Sequence, residues 1–154
     1  MAWQDGLTLG GAPVAHLHVS TTAPVATVAV KLSDVDPTSG VSCLITKGSL
    51  NLTHRESHVT PSAVVPGEVY EVRISLLECA YTLLPGHRLR LSVAGGDLLN
   101  LWPAPCVSTP LLLACHYSRF RLNLSACQAC RGAQHPSVVR APVHADAAGP
   151  SSAG

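Results

Sequence analysis

The run from Tyr70 to Val93, YEVRISLLECAYTLLPGHRLRLSV, limits what this chain can fold into more than any other stretch. Tyr70, Val72, Ile74 and Leu76 alternate with Glu71, Arg73 and Ser75, and further on Leu89, Leu91 and Val93 alternate with Arg88, Arg90 and Ser92. A strand turns successive side chains to opposite faces, so each run predicts a strand with one buried face and one wet face. Pro85-Gly86 punctuates the second half. The two strands are expected to act as a pair. Their apolar side needs cover, which a second sheet supplies, so the stretch is read as the spine of a β-sandwich.

The remaining chain repeats the pattern. Gly10, Gly11 and Pro13 are expected to open the folded part, followed by a strand in which Ala15, Leu17 and Val19 alternate with His16 and His18. A second strand is expected from Val25 to Leu32, with Ala26, Val28, Val30 and Leu32 inside and Thr27 and Lys31 outside. It ends in the turn-forming SDVDPTSG. A strand from Val41 to Thr46 follows, with Val41, Cys43 and Ile45 on one parity. After Lys47-Gly48 another begins with Leu50 and Leu52. THRESH (53–58) reads as a solvated loop, Pro61 and Pro66-Gly67 lead back to the central run, and AGGDLLNLWPAP reads as a loop holding Trp102. A last strand is expected from Tyr117 to Leu124, and the Ala-, Pro-, Ser- and Gly-rich stretch from Ala133 to Gly154 reads as a disordered tail. Prolines and glycines, twelve of each, interrupt every helical window. Many short strands divided by turns predict an all-β fold, one domain over 1–125 with a cysteine-containing tail over 126–154.

Composition narrows the partners. Charged residues make up 12% of the chain against a typical share of about 25%, while hydrophobic residues make up 47%, which is the balance of a folded domain. A net charge of +1 without clustered Lys and Arg excludes a nucleic-acid footprint. No run approaches the roughly 18 apolar residues of a membrane span, and MAWQDGLTLGG lacks the regions of a signal peptide. A cytoplasmic location is therefore expected.

Each chemical motif in the chain has a plainer reading. Asp34, Asp36 and Thr38 stand at alternate positions as in a calcium loop, but Gly40 falls one position late and Ile45 stands where a bidentate Glu is required; the turn reading is preferred. Cys127 and Cys130 form a lone CxxC, and Cys106 and Cys115 do not supply the second close pair a structural zinc site needs. Cys43 and Cys79 are read as small core hydrophobes. His16 and His18 could chelate a metal from one strand face, but no third ligand is visible nearby. No GxSxG elbow, Walker loop, HExxH or GxGxxG is present. His87 beside Arg88 is a conceivable general base, yet its place after a Pro-Gly turn suits a strand anchor. The sequons at Asn51 and Asn123 fall in expected strands and are read as idle. No catalytic, cofactor-binding or metal-binding residue is assigned.

The order of several pieces carries a resemblance. They are Gly11-Ala12-Pro13-Val14, Val30 to Pro37 (VKLSDVDP), Thr46 to Arg55 (TKGSLNLTHR), Pro66-Gly67-Glu68-Val69-Tyr70, Tyr81, Pro85 to Leu91 (PGHRLRL) and Leu101-Trp102-Pro103. Over residues 5–105 the chain resembles the C-terminal, non-catalytic domain of the X-prolyl dipeptidyl peptidase and cocaine esterase-like (CocE/NonD) serine hydrolases; from Cys106 onward it departs from the pattern. The resemblance implies a jelly-roll sandwich of the galactose-binding-like type. Its implied partner is an α/β-hydrolase domain, N-terminal to this chain, that carries the Ser, Asp and His triad. None of the triad can be carried onto a residue here, so the chain alone is expected to be inactive. Its implied role is to pack on the catalytic domain and shape the active-site entrance. PGHRLRL is the most recognisable piece, and it makes His87 and Arg88 anchors of a strand entry. The alternative is a stand-alone binding module recognising a carbohydrate or protein through Ser33–Gly40, Thr53–His58 and Gly95–Trp102. Only six aromatic residues disfavour the carbohydrate version.

Overall fold

The structure, a computed structural model, describes residues 6–98 and 100–102 and the backbone of 110–112. Among these residues the strands are β1 (Leu7–Gly11), β2 (Val14–Thr21), β3 (Thr27–Val35), β4 (Ser42–Asn51), β5 (Tyr70–Ser75), β6 (Cys79–Leu83), β7 (Arg88–Ala94) and β8 (Pro110–Leu112), with one 3-10 turn at Leu52–His54. They form antiparallel sheets in the orders β4-β3-β7, β5-β2-β8 and β1-β6. Alternate residues of every larger strand enter one shared core. Leu17 and Val19 of β2, Val28, Val30 and Leu32 of β3, Val72 and Ile74 of β5, and Leu89 and Leu91 of β7 meet there, with Leu9 and Leu83 from the β1-β6 ribbon. Burying each such side chain stabilises the fold by about 1.5–3 kcal/mol. The chain is an all-β sandwich.

The expected parity holds for β2, β3, β5 and β7. Its partners differ. β5 and β7 do not pair with each other; β5 pairs with β2 and β7 with β3, because Cys79–Leu83 forms a strand of its own and leaves to pair with β1. β1 itself begins before Gly10, where the folded part was expected to open. Gly10 and Gly11 sit opposite Ala80 and Cys79, a pairing of distant segments that local composition does not announce.

Three further corrections centre on β4. β3 does not end at Leu32 but runs on through Ser33, Asp34 and Val35, all buried. β4 is continuous through Lys47-Gly48, where a break was expected. Leu32 stands opposite Thr46 and Ser33 opposite Leu44, so Ile45 is the extra residue of a β-bulge. The bulge resets the parity, turning Leu44 to the outer face beside Ser33. Cys43 and Cys79, expected in the core, are exposed and half-buried, and Val41 is exposed as well. Gly48 allows a close approach, since a Cβ there would collide with the Ser75 carbonyl oxygen and press on Leu76. Across that approach Leu77 N–H donates to the Lys47 carbonyl at 3.0 Å, and Thr46 Oγ1 donates to the Leu77 carbonyl at 2.7 Å. The expected strand at Tyr117–Leu124, the tail, Asn123, Cys106, Cys115, Cys127 and Cys130 lie outside the described residues.

Candidate functional site

Among the described residues a buried polar cluster gathers at the far end of β3. Beyond the bulge β3 keeps its register with β7, Asp34 standing opposite Leu89, so Asp34 faces the same way as the core residue Leu32. A buried carboxylate is tolerated only when donors satisfy it. Tyr81 Oη donates to Asp34 Oδ2 at 2.9 Å, and His87 Nδ1 lies 2.9 Å from Oδ1 and 3.1 Å from Oδ2. With an ionised carboxylate as acceptor, Nδ1 carries the proton. The sequence places His87 through a Leu84-Pro85-Gly86-His87 turn, in which His87 N–H donates to the Leu84 carbonyl at 3.1 Å and Gly86 takes φ +83°. Proline second and a positive-φ glycine third are the residues of a type II turn. The hydrogen bond to Asp34 is the main reason the Tyr81 phenol is pushed above its ordinary value, with burial adding to it.

An aspartate orienting a histidine supplies two of the three members of a hydrolytic triad, yet here a tyrosine shares the carboxylate. Among the described residues no serine, threonine or cysteine is hydrogen-bonded to His87. The cluster links β3, β6 and the entry to β7, and its chemistry is that of a cross-brace.

The other sequence candidates separate. Asp36 shares no ligand task with Asp34: its Oδ1 accepts Thr38 N–H at 2.8 Å and its Oδ2 accepts Ser39 Oγ at 2.6 Å, closing the β3-β4 turn. Ser39, followed by the Thr38 amide, holds the Asp36 carboxyl below the ordinary carboxylate value. Gly40 at φ +71° completes that turn. His16 and His18 are half-buried, opposite Arg73 and Glu71, and the buried Nδ1 of His18 has no hydrogen-bond partner. Among the described residues no three His, Cys, Asp or Glu side chains gather as a metal site would require.

Two structural residues escaped the sequence reading. Within THRESH, the Arg55 guanidinium is largely enclosed; it donates to the carbonyls of Leu52 at 3.2 Å and Ser62 at 3.4 Å and lies 4.3 Å over the Tyr70 ring. Asn51 sits at the end of β4 and caps the 3-10 turn, its Oδ1 accepting Thr53 N–H at 3.1 Å and Thr53 Oγ1 at 3.0 Å. The loop after β7 is likewise held. Lys31 Nζ meets Asp97 Oδ1 at 2.6 Å, Asn100 Nδ2 donates to Asp97 Oδ2 at 3.0 Å, and Lys47 Nζ donates to Asn100 Oδ1 at 2.5 Å. Lys31 keeps the Asp97 carboxyl below its ordinary value. The sequence announced this loop through Gly95 and Gly96, but not its ties to Lys31 and Lys47.

Fold and cluster together define an all-β sandwich whose buried ionisable groups brace strands. Residues 3–139 match the family described as the X-Pro dipeptidyl-peptidase C-terminal non-catalytic domain, and the chain belongs to that family. It is 33% identical over 93 residues to the cocaine esterase of Rhodococcus sp. (strain MB1 Bresler), a match covering 60% of this chain and 16% of the esterase. An aminopeptidase from the marine sediment archaeon Thaumarchaeota archaeon is similar at 31% identity and TM-score 0.53, over 60% of this chain and 16% of that one. A CocE/NonD family hydrolase from Staphylococcus aureus shares the fold at TM-score 0.60 and 19% identity, over 64% of this chain and 22% of that one. The chain thus spans about a sixth of the length of the esterase. Among the described residues no helix is long and apolar enough to cross a membrane.

Proposed function

We propose that this chain serves as the accessory C-terminal domain of a CocE/NonD-type serine hydrolase, with X-Pro dipeptidyl-peptidase or esterase activity residing in the whole enzyme. The match of residues 3–139 to a non-catalytic domain family carries the reading. In this reading the sandwich, a galactose-binding-like jelly roll ending near residue 125, packs on an α/β-hydrolase domain and shapes its active-site entrance. Acyl transfer through a serine nucleophile, a histidine base and an oxyanion hole belongs to that partner. No residue of this chain takes a catalytic role, and the enzyme works in the cytoplasm. The Asp34 carboxylate, shared between Tyr81 and His87, supports this assignment, because a brace of that kind contributes rigidity.

The open reading frame carrying this chain is expected to encode a hydrolase region with a GxSxG elbow. The isolated chain is expected to leave an activated ester such as p-nitrophenyl acetate unhydrolysed. Turnover by the isolated chain that a serine-directed inhibitor abolishes overturns the assignment.

A further inference from the structure

The outer face of the β4-β3-β7 sheet is cationic. On it β3 presents Lys31 and Ser33, β4 presents Lys47 and Leu44, and β7 presents Arg88 and Arg90, as the register sets Lys31 beside Lys47, and Ser33 between Leu44 and Arg90. Four of the chain's ten Lys and Arg residues therefore share one sheet face. The three strands contribute one carboxylate, Asp34, and that one points inward to Tyr81 and His87. The opposite sheet is mixed, with Glu71 and Arg73 on β5.

The loop after β7 is fastened to this cationic face. Asp97 and Asn100 tie it to Lys31 and Lys47, and both Asn100 N–H and Leu101 N–H donate to the Asp97 carbonyl at 2.9 Å. A loop held by so many hydrogen bonds nevertheless leaves Leu98 81% and Trp102 94% exposed. Leu44, on the sheet itself, is 52% exposed. Large apolar side chains on a loop fastened to a cationic sheet face have the composition of an interface centre and its rim.

We infer that this face, centred on Trp102 and Leu98 and rimmed by Lys47, Arg88 and Arg90, is the surface that docks on the catalytic region of the same hydrolase. The inference rests on the accessory-domain reading above and adds to it the surface used and the chemistry of the partner: an apolar recess bordered by Asp and Glu. Charge decides between occupants. A second copy meeting this face about a two-fold axis would set arginine against arginine, which opposes association. An acidic border on a different domain gains from the same charges. The length of the relatives outside the matched part supplies such a domain, because the match covers only 16% of the esterase and 16% of the aminopeptidase.

The test uses the whole polypeptide encoded by the reading frame that carries this chain. A photo-crosslinking amino acid, benzoylphenylalanine, is introduced singly at three exposed positions: Trp102, Val59 and Arg73. Val59 lies in the loop between β4 and β5, and Arg73 lies on the opposite sheet. Mass spectrometry then maps the crosslinked peptides. The expected result is an intramolecular crosslink from position 102 to a peptide of the catalytic region that contains Asp or Glu, absent from 59 and 73 and lost when Arg88→Glu and Arg90→Glu are added. A crosslink to the catalytic region from 59 or 73 but not from 102 overturns the chosen face and leaves the accessory-domain reading intact. A crosslink from 102 to a second copy overturns the chosen occupant. No crosslink to the catalytic region from any of the three positions, or a reading frame without a catalytic region, overturns both.

Discussion

Replacing His87 with alanine separates a brace from a catalyst. His87→Ala removes one of the two donors to Asp34, a bond of 2.9 Å between a half-buried imidazole and a carboxylate only 5% exposed at its side chain. A hydrogen bond to a charged group contributes about 1.5–3 kcal/mol, and the carboxylate keeps Tyr81 as its remaining donor. We therefore expect a loss of about 2 kcal/mol, a Tm decrease of about 4–8 °C for a chain of this size. Asp34→Ala removes the acceptor of both bonds and is expected to lower stability further. Urea unfolding followed by circular dichroism measures this as a lower midpoint with an unchanged slope. Tyr81→Phe supplies the second arm of a double-mutant cycle, whose two effects should be non-additive because both donors serve one carboxylate. A loss below about 0.5 kcal/mol, the ordinary scatter of surface substitutions, would refute the brace. So would a whole hydrolase whose His87→Ala variant melts normally but turns over no substrate.

Three other outcomes follow from the same geometry. Because its folded-state pKa is raised, Tyr81 contributes stability that is fully present below the ordinary tyrosine value of about 10 and is lost as pH rises through the higher folded value. Phenolate absorbance should show it ionising later than a free tyrosine, and Asp34→Asn should bring that midpoint down. Gly48→Ala forces a Cβ against the Ser75 carbonyl, with backbone on both sides of the clash, and should destabilise by about 1–3 kcal/mol in the same unfolding assay. Arg55→Lys keeps the charge but not the planar fork that reaches Leu52 and Ser62 and covers Tyr70. It should lower the melting temperature, and proteolysis between residues 53 and 65 should quicken.

The inward residues of β2, β3, β5 and β7 were legible because burial of every second side chain leaves its trace along a few consecutive positions. Ala26, Val28, Val30 and Leu32 are all fully buried, as their alternation predicts. The family was legible too, from the order of short pieces such as PGHRLRL and VKLSDVDP. The bulge at Ile45 was not, because an extra residue in β4 is defined only against the strand beside it. That one residue moves Leu44 to the outer face beside Ser33 and puts Cys43 on the face of Asp34, where it is nonetheless exposed. β1 was hidden by Gly10 and Gly11, which disfavour a strand locally and are overruled by pairing with β6, about seventy residues away in the chain.

By itself, then, the sequence determined an all-β sandwich with defined inner faces and a family, since periodicity and motif order are properties of neighbouring residues. The tertiary structure decided that the two halves of Tyr70–Val93 lie in opposite sheets. It decided that Asp34 meets Tyr81 and His87, 47 and 53 positions away, and that Asp97 fastens an exposed tryptophan loop to a cationic face. Those meetings depend on which strands pair and in what register. A long-range pairing of that kind is set by the packing of the whole core.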